Sequence, residues 1–263
     1  MNNQFFDNDG VPVEALRGLL DLFNLQHESS LAGAMSATQR EWYQAGKLRA
    51  DIQEKFGHMR DAAMPFLQQL GFVDEIVAMK QQYPWAIVLG AKKLAIRKRY
   101  ALLRKEWASG IRFAQLAMCG SDRQNDEIIS DFDNDALPFL EEALQQSAFQ
   151  TPIPADETDL MEEIYQLSRS SFGWNDKVIP LFKKTTVTGR LANTRDTLTD
   201  WGTFPTGKVL VVSSQPFVSY QALIARQCLP GCEIHAIGAA ASATLPISVY
   251  LDNLAKTLFE LAD

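Results

Sequence analysis

Cysteine is scarce in this chain: Cys119, Cys228 and Cys232 are the three in 263 residues. An odd trio cannot build a disulfide scaffold, so reduced thiols in a cytoplasmic setting are the simpler expectation. A basic excess is also missing. Lys and Arg total 25 against 32 Asp and Glu, for a net charge of -7. That balance argues against a nucleic-acid partner or broad attraction to anionic membranes, although it leaves room for a local basic patch. No apolar run approaches the roughly 20 residues that cross a bilayer, so no membrane span is expected. The start, MNNQFFDNDG, lacks the basic and apolar regions of a secretory signal. Internal repeats and low-complexity tracts are absent, and so is a glycine-rich phosphate loop of known spacing.

What is present is a globular composition, 46% apolar, with length enough to bury a core. Residues 1–82 read as helical. Val13–Leu25 places Leu16, Leu19, Leu20 and Phe23 on one stripe, the spacing of an amphipathic helix. Thr38 and Glu41 read as a capping box opening a helix to about Phe56. A third helix over Met59–Leu70 stops at Gly71, and a fourth is expected over Val73–Gln82, before Tyr83-Pro84.

At Trp85 the texture changes. WAIVLG is a continuous apolar run closed by glycine, the mark of a strand buried on both faces. Further strands are expected at Ile111–Gly120, Val178–Val187, Lys208–Ser214 and Cys232–Ala239. Helices are expected between them: Lys92–Ala108, Ala136–Ser147, Glu157–Ser170, Thr194–Trp201, Pro216–Gln227 with proline in its first turn, and finally Val249–Leu261. Five alternations predict an α/β fold: a doubly wound, mainly parallel five-stranded sheet, Rossmann-like, with an N-terminal helical subdomain. The domains read as 1–82 and 83–263.

In such a sheet ligands bind beyond the carboxyl ends of the strands. The loops there hold Gly90, Ala91, Lys92 and Lys93, then Gly120, Ser121, Asp122 and Arg123, then Arg190, Asn193, Thr194 and Arg195, and lastly Ser213 and Ser214. Small residues let backbone N–H groups approach a ligand, and the basic residues supply charge-assisted hydrogen bonds. Both point to an anionic small molecule. The bland alternative is that loops are polar anyway and these bases face water.

Other features have plain readings. Glu157, Asp159, Glu162 and Glu163 crowd one helix start, where acids favour the helix dipole. Ser213 and Ser214 lack the context of a nucleophile elbow and read as helix caps. Cys228, Cys232 and His235 fit no standard zinc set, so no metal is expected. His27 and His58 lack partners in sequence. Asp131, Asp133 and Asp135 alternate without the glycine and glutamate of a calcium loop.

The pieces Val88-Leu89-Gly90-Ala91, Cys119-Gly120, Glu157 with Met161, Asn193-Thr194-Arg195-Asp196 and Val212-Ser213-Ser214 together resemble the SanA/YdcF/ElyC-like domain family. The resemblance covers about residues 85–240. It implies a Rossmann-like domain of loosely defined function, with S-adenosylmethionine as a suggested ligand of members, and it places Glu157 at the pocket. By that analogy Glu157 and Asp196 are the candidate acid and base. Two departures stand out: Thr197 replaces the family's closing asparagine, and residues around Phe217, Tyr220 and Gln221 replace its histidine-arginine pair. Two functions follow as expectations. One is a protein, a transferase or hydrolase if catalytic, binding a nucleotide-like or phosphorylated small molecule at the carboxyl edge. The other is a non-catalytic binding or regulatory protein that keeps the pocket and meets a protein partner through residues 1–82.

Overall fold

The computed structural model describes residues 4–25, 29–47, 51–80, 82–124, 154–174, 176–199 and 205–262. The helix expected at Ala136–Ser147, the aspartates 131, 133 and 135, and His27 lie outside them. Five strands, β1 (Gln82–Leu89), β2 (Arg112–Ser121), β3 (Ile179–Thr185), β4 (Gly207–Ser214) and β5 (Cys232–Ala239), form one sheet in the order β3-β2-β1-β4-β5. Every pairing is parallel. Helices flank it, and the fold is Rossmann-like α/β. The described helices are α1 (Glu14–Leu22), α2 (Leu31–Glu41), α3 (Arg60–Gln69), α4 (Lys93–Ala108), α5 (Glu157–Ser168), α6 (Thr194–Thr199), α7 (Val218–Cys228) and α8 (Ile247–Ala262). None is long and apolar enough to cross a membrane.

The sheet's composition follows from its burial. In β1, Ala86 and Val88 align with Leu116 and Met118 of β2 and with Leu210 and Val212 of β4. These six share one buried cluster with Ile96, Tyr100 and Leu103 of α4 and Leu160, Met161 and Ile164 of α5. The alternating residues Ile87, Ala117, Val209 and Val211 are buried too. Both faces exclude water, so the strands read as continuous apolar runs. Each buried Val, Leu, Ile or Met side chain contributes about 1.5–3 kcal/mol, and the alanines less. Pro84 sits inside β1 and is skipped by the β2 ladder, which pairs Tyr83 and Trp85 but not residue 84, as expected of a residue with no N–H to give; the β4 ladder starts after it, at Trp85.

Two compact units are present. One comprises Met1–Glu75, Gln215–Leu223 and Ala240–Asp263; the other comprises Ile76–Ser214 and Ile224–Ala239. In the first unit Leu16, Leu19 and Leu20 of α1 join Leu67, Phe72 and, from α8, Tyr250, Leu251, Leu254 and Leu258 in one core. The last helix of the chain therefore carries its buried side chains in the helical unit.

Several local expectations fail, each for a visible reason. The helix at Thr38 begins earlier: Ser30 is its N-cap, accepting from the Gly33 N–H at 3.1 Å. Thr38 lies inside it, its hydroxyl donating to the Ala34 carbonyl. The helix ends at Glu41 rather than Phe56. The Gln44 side chain satisfies both the N–H and the carbonyl of Gln53, each at 2.9 Å, which competes with helical pairing of that segment. The fourth helix is absent. Ile76 exchanges two backbone hydrogen bonds with Gly238 in an antiparallel bridge. The N–H groups of Ala78 and Lys80 donate to the Glu106 carboxylate and the Tyr83 hydroxyl. With those donors taken, no helical ladder forms. Pro216 lies two residues ahead of α7 rather than in its first turn. Ser213 and Ser214 end β4 and do not cap a helix.

Candidate functional site

The chain runs outward from β1 through β2 to β3, then returns to place β4 against the other side of β1. The order reverses between β1 and β4, and the carboxyl ends there are the expected ligand edge. Arg99 lies at this point. It projects from the buried stripe of α4, is 2% exposed, and donates to the Leu89 carbonyl at 2.5 Å and the Gly90 carbonyl at 2.8 Å. Its other terminal nitrogen lies 3.4 Å from the Ser214 hydroxyl. One guanidinium thus ties the ends of β1 and β4.

Glu157 approaches the same edge from α5. Asp156 is the N-cap, accepting from the Thr158 and Asp159 N–H groups and pairing with Lys184 of β3. That fixes the first turn of α5 over the end of β2. Glu157 is 4% exposed. Its Oε2 accepts from the Ser121 N–H at 2.8 Å and the Ser121 hydroxyl at 2.7 Å. Burial pushes its carboxyl above the ordinary glutamate value, opposed by the Ser121 bonds, Arg123 and Arg99.

The two strand-ending glycines serve this packing. A Cβ on Gly90 would stand 2.6 and 2.9 Å from the Glu157 carboxylate oxygens. One on Gly120 would stand 2.6 Å from the Thr158 hydroxyl and 2.9 Å from the Thr158 α-carbon. The glycines make room for α5, where the sequence reading has them admit a ligand. Backbone N–H groups at this edge are engaged as well: Gly90 donates to the Cys119 carbonyl at 2.7 Å and Asp122 to the Thr185 carbonyl at 3.3 Å.

The structure brings Gly90, Gly120, Arg123, Glu157 and Ser214 into this edge. Ser213 is fully buried beside it, its hydroxyl 3.4 Å from the Ser214 carbonyl. Ala91 is partly buried against the core, and Lys92 holds the N-cap position of α4 through its backbone. Arg190, Asn193, Thr194 and Asp196 form a cluster of their own around the start of α6. Asn193 and Asp196 cap each other: the Asn193 N–H donates to Asp196 Oδ2 at 2.8 Å, and the Asp196 N–H to Asn193 Oδ1 at 3.1 Å. Arg190 grips both Asp196 oxygens, at 2.6 and 2.8 Å. That fork holds the Asp196 carboxyl below the usual aspartate range, which suits an ion pair better than a general base. Arg195 turns to Gln227.

Sequence reasoning missed Arg99 and Asp156. Arg99 had a signal: it stands three residues after Ile96 and four before Leu103, a charge on an apolar stripe. His235 also has partners that spacing hides, Tyr83 Oη at 3.1 Å and Glu233 at 2.7 Å. Cys232 meets the Pro205 carbonyl. Among the described residues no group of three or more His, Cys, Asp or Glu could hold a metal ion. No family model matches the chain, nor does any curated protein or solved structure.

Proposed function

We propose that the carboxyl edge between β1, β2 and β4 binds a nucleotide-like or phosphorylated small molecule, with Glu157 as the group that exchanges a proton there. The observation that carries the reading is a buried carboxylate held by Ser121 at the reversal of strand order, with Arg99 and Arg123 close enough to stabilise its charge. Buried ionisable groups with displaced pKa values gather at working sites. The reading is consistent with a cytoplasmic protein and with the SanA/YdcF/ElyC-like resemblance of residues 85–240. A transferase or hydrolase acting on such a ligand is the class it favours.

A non-catalytic binder is the second reading, and the Asp196–Arg190 fork favours it, because it commits one of the two expected acid-base residues to structure. A protein partner on residues 1–82 belongs to that reading. One experiment separates them. The purified chain is screened by thermal shift against nucleotides, sugar nucleotides, polyphosphates and, as a cationic comparison suggested by the resemblance, S-adenosylmethionine. Tight ligands raise the melting temperature by mass action. Turnover of a hit that disappears in Glu157→Gln supports an enzyme; affinity without turnover supports a binder. Silence across the whole screen would sink both small-molecule readings.

A further inference from the structure

The donors at this edge differ in what holds them. Gly90 and Asp122 give their N–H groups to the carbonyls of neighbouring strands. Ser121 gives both its N–H and its hydroxyl to one oxygen of a side-chain anion, Glu157. That carboxylate rests against the α-carbon of Gly90, the place that ligands of doubly wound sheets use for a charged group. The Coulombic pull of Arg99 and Arg123 reaches it there. A peptide N–H, a hydroxyl and two guanidinium charges are also what an incoming phosphate, sulfate or pyrophosphate needs.

We infer that the Glu157 side chain is a built-in stand-in for the ligand's anionic group: it fills the anion seat of the free chain, and an anion enters only as Glu157 releases Ser121 and takes up a proton. The inference rests on the reading of this edge as an anionic-ligand site and describes how that site is regulated. Two like charges sharing one buried seat repel strongly, so the occupant must leave or be neutralised. Neutralisation is the shorter route, because burial already raises this carboxyl's affinity for a proton.

Among the described residues, the charged groups facing Glu157 are Arg99 from α4 and Arg123 beyond β2; Gly90 from β1 brings none. Lys184 of β3 is turned to Asp156 instead. On α5 itself Asp156 is engaged in capping. A proton gained on binding is therefore assigned to Glu157. By linkage, anion affinity then rises as pH falls and levels off below the raised titration range of the Glu157 carboxyl.

The test is calorimetric titration of the full chain with sodium sulfate and with inorganic pyrophosphate. Each titration is run at one pH in two buffers of different ionisation heat, on the wild type and Glu157→Gln. With sulfate, which does not itself titrate here, wild type should take up about one proton per anion and the variant none; with either anion the variant, having no charge in the seat, should bind about tenfold more tightly or better. Sulfate stays a dianion throughout, so its wild-type affinity should climb with acidification while the variant's stays flat. Should Glu157→Gln fail to fold, the wild-type proton count and pH slope decide alone. Wild-type binding with no proton uptake, or a variant that binds no tighter, overturns the stand-in and leaves the ligand reading intact. Binding of neither anion to either form defeats the ligand reading, and the stand-in with it.

Discussion

The carboxylate of Glu157 lies so close to the α-carbon of Gly90 that a Cβ at residue 90 would overlap both its oxygens. A glycine that ends a strand and a glutamate that opens a helix 67 residues later are therefore one packing unit. The consequences for substitution differ between the two glycines of this edge.

Gly90→Ala meets only the far end of a side chain, and Glu157 can swing away, giving up Ser121. Gly120→Ala meets the backbone of Thr158, which cannot. Overpacking costs about 1–3 kcal/mol. Gly120→Ala should fall at or above the top of that range and Gly90→Ala near the bottom, measured by urea unfolding. Gly90→Ala should also bind sulfate more weakly than wild type, because its Cβ enters the seat that the carboxylate and an incoming anion would share. Equal losses at the two positions would contradict the packing described.

Arg99 holds two carbonyls and lies against a hydroxyl across the β1–β4 boundary. Hydrogen bonds to a charged group are worth about 1.5–3 kcal/mol each, and more is lost when a buried acceptor is left unmet. Arg99→Met keeps a long apolar stem and should still cost at least about 2 kcal/mol. A loss indistinguishable from that of an exposed Arg→Met change elsewhere would show the tie is idle.

Acid should act in opposite directions on the two carboxylates. Asp196 is held below its ordinary value, chiefly by Arg190. Its contribution is present above the unfolded value and is lost as pH falls through the folded one. Glu157 is raised, chiefly by burial. The stabilisation it gains from protonation is complete below the unfolded value and is lost as pH rises through the folded one. Melting temperatures over pH should therefore converge with wild type on acidification for Asp196→Asn. For Glu157→Gln the gap to wild type should shift in the variant's disfavour as pH falls. Asn193→Ala should cost about 1 kcal/mol through its cap, with no pH slope of its own.

Cys119 is fully buried, and burial pushes its thiol up to about 12. The thiolate is the reactive form. Iodoacetamide at mildly alkaline pH should leave Cys119 unmodified in the folded chain and label it only after denaturation. Mass spectrometry of the digested protein reads this directly; rapid native labelling would mean that β2 opens.

Ser30 caps α2 through the Gly33 N–H. Ser30→Ala should lower stability by about 1 kcal/mol, whereas Glu41→Ala should change it little. The reverse ranking, seen by chemical denaturation, would restore the capping box that the sequence suggests at Thr38.

Local chemistry made much of this architecture readable. All five strands lie within three residues of where their apolar runs place them. A strand buried on both faces writes its burial into consecutive residues, and parallel pairing requires the helices between. The amphipathic stripe of α1 and the glycine stop of α3 are equally local. Where a backbone donor had a distant partner, local reading failed: residues 73–82 have helical composition, but Ile76 pairs with Gly238 and Lys80 with Tyr83.

The candidate site divides along the same line. Position in the topology singled out Gly90 and Gly120 from sequence alone, since loops at strand ends are countable along a chain, whereas Glu157 was singled out by the family resemblance. Tertiary structure decided the strand order, the inward turn of Arg99 across β1 and β4, the seating of Glu157 on Ser121, and the withdrawal of Asp196 into a helix cap with Arg190. It also decided that α8 completes the helical core rather than merely closing the chain. Each of these depends on groups far apart in sequence meeting at hydrogen-bond or van der Waals distance, and no local pattern encodes which distant partner satisfies a buried charge.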